Sequence, residues 1–376
     1  MGATVGATET ETVVIGAGQA GLATGYHLAG RGRAFVILDA YERVGDNWRC
    51  HWDSLRLFTP ALAASLPGMK FPASRTSYPT KDEMADFLEV YQAKFDLPIR
   101  GGVRVGRVSK QGSRYLVACS DGSSYLCDNV VVATGTFGRT PNIPTFAAEL
   151  DPGIRQLHSS DYKRAAQLRP GPVLVVGAAH SGSDIAYEVG SAGHPVILSG
   201  AVRGEVPFRP EKRPAKVGFP LLYFLATHVL TIRTPIGRRV RTEIRVHGGP
   251  LIRVKRADLA RVGVEMTPSR TVAAKDGLPV LAPDRSVDVT NVLWCTGSLQ
   301  DFSWIDLPVT APDGWPLERR GVVDSAAGLY FVGLAFQYAF SSNLVGGAGR
   351  DAEYVVRHLG ARLSPERQRP RPGGPR

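Results

Sequence analysis

Reactive sulfur is scarce in this chain. Its four cysteines, Cys50, Cys119, Cys127 and Cys295, show no C-x-x-C spacing. That excludes a dithiol relay and a zinc ribbon, implies no metal site, and fits a reducing cytoplasm, the expected location. Long apolar runs are also missing. The best candidate, Val217 to Ile232, is 16 residues long and contains Pro220 and His228. It falls short of the ~20 residues of a membrane-spanning helix, so no stable membrane insertion is expected. It reads as a partly buried helix at a substrate entrance, or as simple core packing. Met1 to Glu11 has neither the basic start nor the apolar centre of a secretory signal.

Acidic residues are thin in one stretch. Between Arg203 and Arg256, 13 Lys/Arg face only Glu205, Glu211 and Glu243, and nearly all of the net charge of +11 lies there. Such a run attracts a phosphorylated cofactor or an acidic substrate, or is a solvated face. No aromatic-interleaved reading surface accompanies it, so nucleic acid is not an expected partner. The sequence is silent on oligomeric state.

What the chain does have is two glycine-rich turns, each after a run of buried-strand character. Gly16-Ala17-Gly18-Gln19-Ala20-Gly21 follows Thr12-Val13-Val14-Ile15, and Gly177-Ala178-Ala179-His180-Ser181-Gly182 follows Val173-Leu174-Val175-Val176. Each places backbone N–H groups and a helix N-terminus where a pyrophosphate can bind. Two of them, about 160 residues apart, point to two dinucleotides, naturally a flavin and a nicotinamide. The fold class expected is α/β, with two Rossmann-like dinucleotide-binding domains. Residues 1–163 and 288–363 form the FAD-binding domain and residues 164–287 an inserted NADPH-binding domain. The Pro- and Arg-rich tail, 364–376, is expected to be disordered. The strand near 288–297 is expected to return to the first domain, with crossings near Gly135 and Gly297. Thr80-Lys81-Asp82-Glu83 reads as a capping box opening a helix whose apolar residues Met84, Phe87, Leu88, Tyr91 and Phe95 share one face.

The two units differ in one place. Asp39 lies 23 residues after Gly16, where a carboxylate accepts hydrogen bonds from ribose hydroxyls. The same count from Gly177 reaches Ser199 and Gly200, with no carboxylate, and Arg203 follows. Without the acid a 2′-phosphate is not repelled, and an arginine can pair with it, so FAD is expected in the first loop and NADPH in the second. Ala179 stands at the middle glycine position of the second loop. His180 reads as a surface-loop histidine, or as one touching a phosphate or the nicotinamide.

On these residues the chain resembles the flavin-containing monooxygenases, within the class B flavoprotein monooxygenases, over nearly its whole length. Ala133-Thr134-Gly135 and Cys295-Thr296-Gly297 are similar to that family's Ala-Thr-Gly linkers. Gly45-Asp46-Asn47-Trp48 resembles the Gly-x-x-Trp segment lying along the flavin. His158 to Tyr162 resembles the end of the identifying motif, of which the upstream half is not matched. Phe58 stands where family members carry an Asn near the flavin, and Gly333-Leu334 where related reductases have Gly-Asp. The resemblance implies that NADPH reduces the flavin, which with molecular oxygen forms a C4a-(hydro)peroxide. One oxygen atom then passes to a small-molecule substrate. An N or S atom is favoured, because Baeyer–Villiger enzymes usually place Trp where Tyr162 stands; a carbonyl is the other possibility. The cofactor-binding set is Gly16, Gly18, Gln19, Ala20, Gly21, Asp39, Trp48, Thr134, Gly135, Gly177, Ala179, Ser181, Gly182, Arg203 and Asn343. Thr59 and Asn343 are candidates for polar flavin contacts, and no catalytic side chain is identified. The rival readings are a flavin-dependent NAD(P)H reductase without oxygen insertion and a dinucleotide-binding sensor without turnover.

Overall fold

The computed structural model describes residues 6–136, 140–206, 215–247 and 249–363; the tail expected to be disordered lies outside them. The first sheet is built from β1 (Thr8–Ile15), β2 (Phe35–Leu38), β3 (Ile99–Arg100), β4 (Val105–Gln111), β5 (Arg114–Cys119) and β6 (Ser124–Val132), in the order β3-β2-β1-β6-β5-β4. β1 to β3 and β6 run parallel, while β4, β5 and β6 form an antiparallel meander around the turn at Asp121-Gly122.

Alternation along the strands separates two apolar layers. Val14 and Val131 point into one layer, with Leu22 and Leu28 of helix α1 (Gln19–Ala29). Val13, Ile15, Val130 and Val132 point into the other, with Tyr115, Val117 and Phe302. Buried on both faces, these strand segments read as continuous valine and isoleucine runs. Helix α2 (Lys81–Lys94) begins at the expected capping box. Glu83 N donates to Thr80 Oγ1 at 3.1 Å and Thr80 N to Glu83 Oε2 at 2.7 Å, and Met84, Phe87, Leu88 and Tyr91 are buried.

The second sheet is wholly parallel. Its strands are β7 (Arg155–His158), β8 (Val173–Val176), β9 (Val196–Ser199), β10 (Glu265–Thr267) and β11 (Asn291–Trp294), in the order β10-β9-β8-β11-β7. Helix α3 (His180–Ser191) follows β8. Between β9 and β10 the chain forms α4 (Ala215–Phe224), a π-turn at Leu225–Val229, α5 (Pro235–His247) and α6 (Arg256–Arg261). Pro220 inside α4 leaves one carbonyl without its N–H partner. The chain rejoins the first sheet at β12 (Leu329–Phe331), beside the C-terminal half of β6, and ends in α7 (Val345–Leu363).

This topology corrects the expected boundaries. The strand near 288–297 does not return to the first sheet: Asn291–Trp294 lies between β8 and β7 in the second. The second unit thus starts before residue 163 and extends past 287. The strand is apolar to both sides, Val292 and Trp294 into one layer and Leu293 into the other, so its pattern names no sheet.

The α4–α5 segment belongs by connectivity to the second unit, yet it is bonded to the first. Ile232 N donates to Tyr338 O at 2.9 Å, Phe340 N to Leu230 O at 2.9 Å, and Arg350 Nη1 to Thr227 O at 3.3 Å.

The capping box gives a direct stability test. Thr80→Ala is expected to cost about 1 kcal/mol in urea unfolding, with the fold kept.

Candidate functional site

The two glycine turns are built alike, atom for atom. At the end of β1, Gly16 N donates to Leu38 O at 2.7 Å; at the end of β8, Gly177 N donates to Ser199 O at 2.8 Å. Both glycines have φ +107°. A Cβ on Gly16 would lie 2.7 Å from Ala133 O, and one on Gly177 2.4 Å from Cys295 O. The following helix starts so close that a Cβ on Gly21 would lie 1.8 Å from Gly16 O, and one on Gly182 1.7 Å from Gly177 O. The linkers complete the match. Ala133 N donates to Ile15 O and Cys295 N to Val176 O, both at 2.8 Å, and Gly135 and Gly297 share φ +77°.

Gly18 and Ala179 are the helix N-cap residues, and neither supplies a side-chain cap. The N–H groups of Gln19, Ala20 and Gly21, and of His180, Ser181 and Gly182, therefore begin their helices as uncapped donors. That is the donor set a pyrophosphate fits. The middle glycine of the first turn differs from its neighbours: a Cβ on Gly18 would meet only Asn47 Nδ2, at 3.5 Å, so protein packing does not demand it. Gly333, singled out in the sequence only beside the Leu334 departure, has a packing cause: a Cβ there would stand 2.7 Å from the methyl of Ala20.

Beyond the turns the units diverge. Asp39, at the end of β2, accepts from Ala17 N through Oδ2 and from Tyr41 N through Oδ1 at 2.8 Å. Burial pushes its carboxyl pKa up, against the pull of those two N–H groups. At the matching place in the second unit the Ser199 hydroxyl turns away, donating to Ser269 O at 2.9 Å, and Arg203 is exposed. The first unit thus presents a carboxylate at this place and the second an exposed guanidinium. Trp48 sits on a short helix, Asp46–Arg49, beside the first turn, and its buried Nε1 has no hydrogen-bond partner among the described residues. Thr134 is half-buried; the next residues are tied down, with Ala335 N donating to Thr136 Oγ1 and Gln300 Nε2 to Thr136 O, both at 2.6 Å. Asn343 closes the short helical turn Phe340–Asn343 before α7.

The matched half of the identifying motif does structural work. His158 Nε2 donates to Gly297 O at 2.9 Å, fixing the second linker. Tyr162 is fully buried, and its hydroxyl donates to Glu188 of α3 at 2.8 Å.

His180 is not the surface-loop residue expected. It is the first residue of α3, and its ring stacks on Phe58 with centroids 4.5 Å apart and planes at 29°. Its ring also bonds the backbone of Pro250. Proline has no N–H, so the imidazole donates. Nε2 is buried and has no partner among the described residues, so the donor is Nδ1 and Nε2 is an acceptor. Phe58, standing where the family carries Asn, thus joins a segment of the first unit to the second fingerprint.

Two outcomes follow from this geometry. Gly21→Ala forces α1 away from Gly16 and is expected to cost about 3 kcal/mol and to abolish bound-flavin absorbance. Gly18→Ala should fold normally and lose flavin affinity only. Separately, burial pushes His180 and His51 down to about 4 from 6.5. Between those values the unfolded chain binds protons that the folded protein refuses, so stability falls as pH drops through that window. Urea titrations at about pH 7 and about pH 5 should show a smaller loss for His180→Gln than for the wild type.

Comparison with known proteins places this architecture. Residues 13–210 match the family Pyridine nucleotide-disulphide oxidoreductase. An uncharacterized CzcO-like oxidoreductase of Geobacillus kaustophilus is 39% identical over 350 residues, 93% of this chain and 98% of that protein. A probable indole-3-pyruvate monooxygenase of Arabidopsis thaliana, YUCCA9, is 33% identical over 215 residues, 55% of this chain and 50% of the plant protein. A doubly substituted flavin monooxygenase from Stenotrophomonas maltophilia superposes with a TM-score of 0.75 at 27% identity, covering 95% of this chain and all of that one. The chain belongs to the pyridine nucleotide-disulphide oxidoreductase family, and its fold is that of the flavin monooxygenases.

Proposed function

We propose that the protein is an FAD- and NADPH-dependent monooxygenase that transfers one oxygen atom from O₂ to a small molecule, at an N or S atom in preference to a carbonyl. The observation that carries this reading is the combination of two matched dinucleotide turns with the lack of a dithiol. The four cysteines are unpaired; Cys127 and Cys295 are buried, and burial pushes both thiols up to about 12. Electrons that reach a flavin here have no disulfide to enter, so oxygen is the natural acceptor. The whole-length likeness to a flavin monooxygenase supports the same choice.

The residues divide the work. The Gln19–Gly21 donors fit the FAD pyrophosphate, Asp39 its adenosine ribose, and Trp48, Thr134 and Asn343 the rest of the flavin nucleotide. The His180–Gly182 donors, with Gly177 and Ala179, fit the second pyrophosphate, and Arg203 fits a 2′-phosphate. When bound, the flavin supplies the redox chemistry, taking hydride from the nicotinamide and activating oxygen. The protein's own task is to hold both cofactors and exclude water.

Two measurements test this. Under ¹⁸O₂, turnover with NADPH and a thioether should give sulfoxide carrying one labelled oxygen; NADPH oxidation that yields only hydrogen peroxide, with no labelled product from amines, thioethers or ketones, would favour the reductase reading. Arg203→Gln should lower the preference for NADPH over NADH roughly 10-fold in kcat/KM, while leaving NADH kinetics in place.

A further inference from the structure

The positive surplus between Arg203 and Arg256 has a destination in the fold. Arg233, between the π-turn and α5, holds its guanidinium carbon 5.8 Å from the Tyr338 ring centroid. Two arginines from distant parts of the chain converge on the same ring, Arg320 at 4.3 Å and Arg350 at 4.8 Å. Arg320 also lies 3.7 Å from the centroid of Tyr354. The nearby carboxylates are engaged by other arginines, although Asp351 keeps one buried oxygen, Oδ2, without a partner among the described residues. Asp351 pairs with Arg350 at 2.9 Å, and Glu318 holds Arg241 and Arg245 at 3.3 and 3.4 Å. Among the described residues, Arg233 and Arg320 pair with no carboxylate. Like charges gathered this closely repel one another, and the protein does not balance them.

Arg320 is held there against local preference. Its backbone is left-handed, with φ +55°, and its buried Nε has no acceptor among the described residues. Stacking on tyrosine engages the faces of a guanidinium and leaves its in-plane N–H groups free for a bidentate oxyanion. The cluster lies at a seam. Tyr338 O accepts from Ile232 N on one side, and Arg350 reaches Thr227 O on that side and the hydroxyls of Ser341 and Ser342 on the other, at 3.4 and 3.3 Å. Those serines belong to the turn that ends at Asn343.

Building on the monooxygenase reading, we propose that the substrate is a small organic acid, and that Arg320 and Arg233 bind its carboxylate at this seam, on the platform of Tyr338. A phosphate presents the same oxygens, so the cofactor's 2′-phosphate is the competing occupant.

Calorimetric titration of the FAD-loaded protein with 4-(methylthio)benzoate and with thioanisole, which differ by one carboxylate, decides the matter without turnover. A failure of oxygen transfer therefore leaves the result readable. The acid should bind at least about 10-fold tighter. Arg320→Gln and Arg233→Gln should each remove most of that preference without changing the Kd of thioanisole, and Arg239→Gln, which deletes the same charge from α5, should keep it. Arg233 is exposed, so its variant serves if Arg320→Gln misfolds. Equal binding of the two probes by the wild type would overturn the proposal. So would an equal effect of Arg239→Gln, which would mean diffuse charge, or a change in NADP⁺ over NAD⁺ affinity in place of the acid preference.

Discussion

The structure depends on a contact between main chains. At the end of each central strand, a glycine lets the backbone turn under the carbonyl that closes the adjacent strand, Ala133 in one unit and Cys295 in the other. A second glycine then lets the helix start against the first glycine's own carbonyl. No side chain fits in either gap. The helix axis, the direction of its leading N–H groups and the place of the linker are all set by these two approaches. Because the arrangement is made of backbone, it tolerates a different first residue in each linker, Ala133 in one unit and Cys295 in the other.

That is why the cradles were legible in the sequence and the sheet boundaries were not. The glycine spacings, the strand before each and Asp39 at the end of β2 are local, and each has one physical cause. Helix α2 was legible for the same reason, since the capping box and the apolar spacing agree. Asn291–Trp294 was misplaced because a strand buried on both faces looks the same in either sheet. His180 was misread because its environment comes from elsewhere in the chain, Phe58 on one side and Pro250 on the other. The packing reason for Gly333 was not legible either; it is the methyl of Ala20, far away in sequence.

Charge followed the same division. The surplus of Lys and Arg was countable from the sequence, but its meaning needed Arg320, Arg350 and Tyr338, none of which lies in the basic stretch. Part of it is structural: Glu318, with 1% of its side chain exposed, needs Arg241 and Arg245 as counter-ions. Arg253 and Arg256 likewise pair with Asp184 and Glu205, whereas Arg233 has no carboxylate partner among the described residues, which separates arginines that hold the fold from one free to hold something else.

The α4–α5 segment leaves the second unit and is stitched to the first through Ile232, Leu230 and Thr227. A chain anchored at both ends in one body and hydrogen-bonded mid-course to another acts as a check-strap. The two units are covalently joined by crossings at Gly135 and Gly297, the second of which is itself held by His158 and by Asn142. Any wide swing must first break the three mid-course hydrogen bonds, so the travel between the nucleotide-binding bodies is limited by a tether that neither sheet contains.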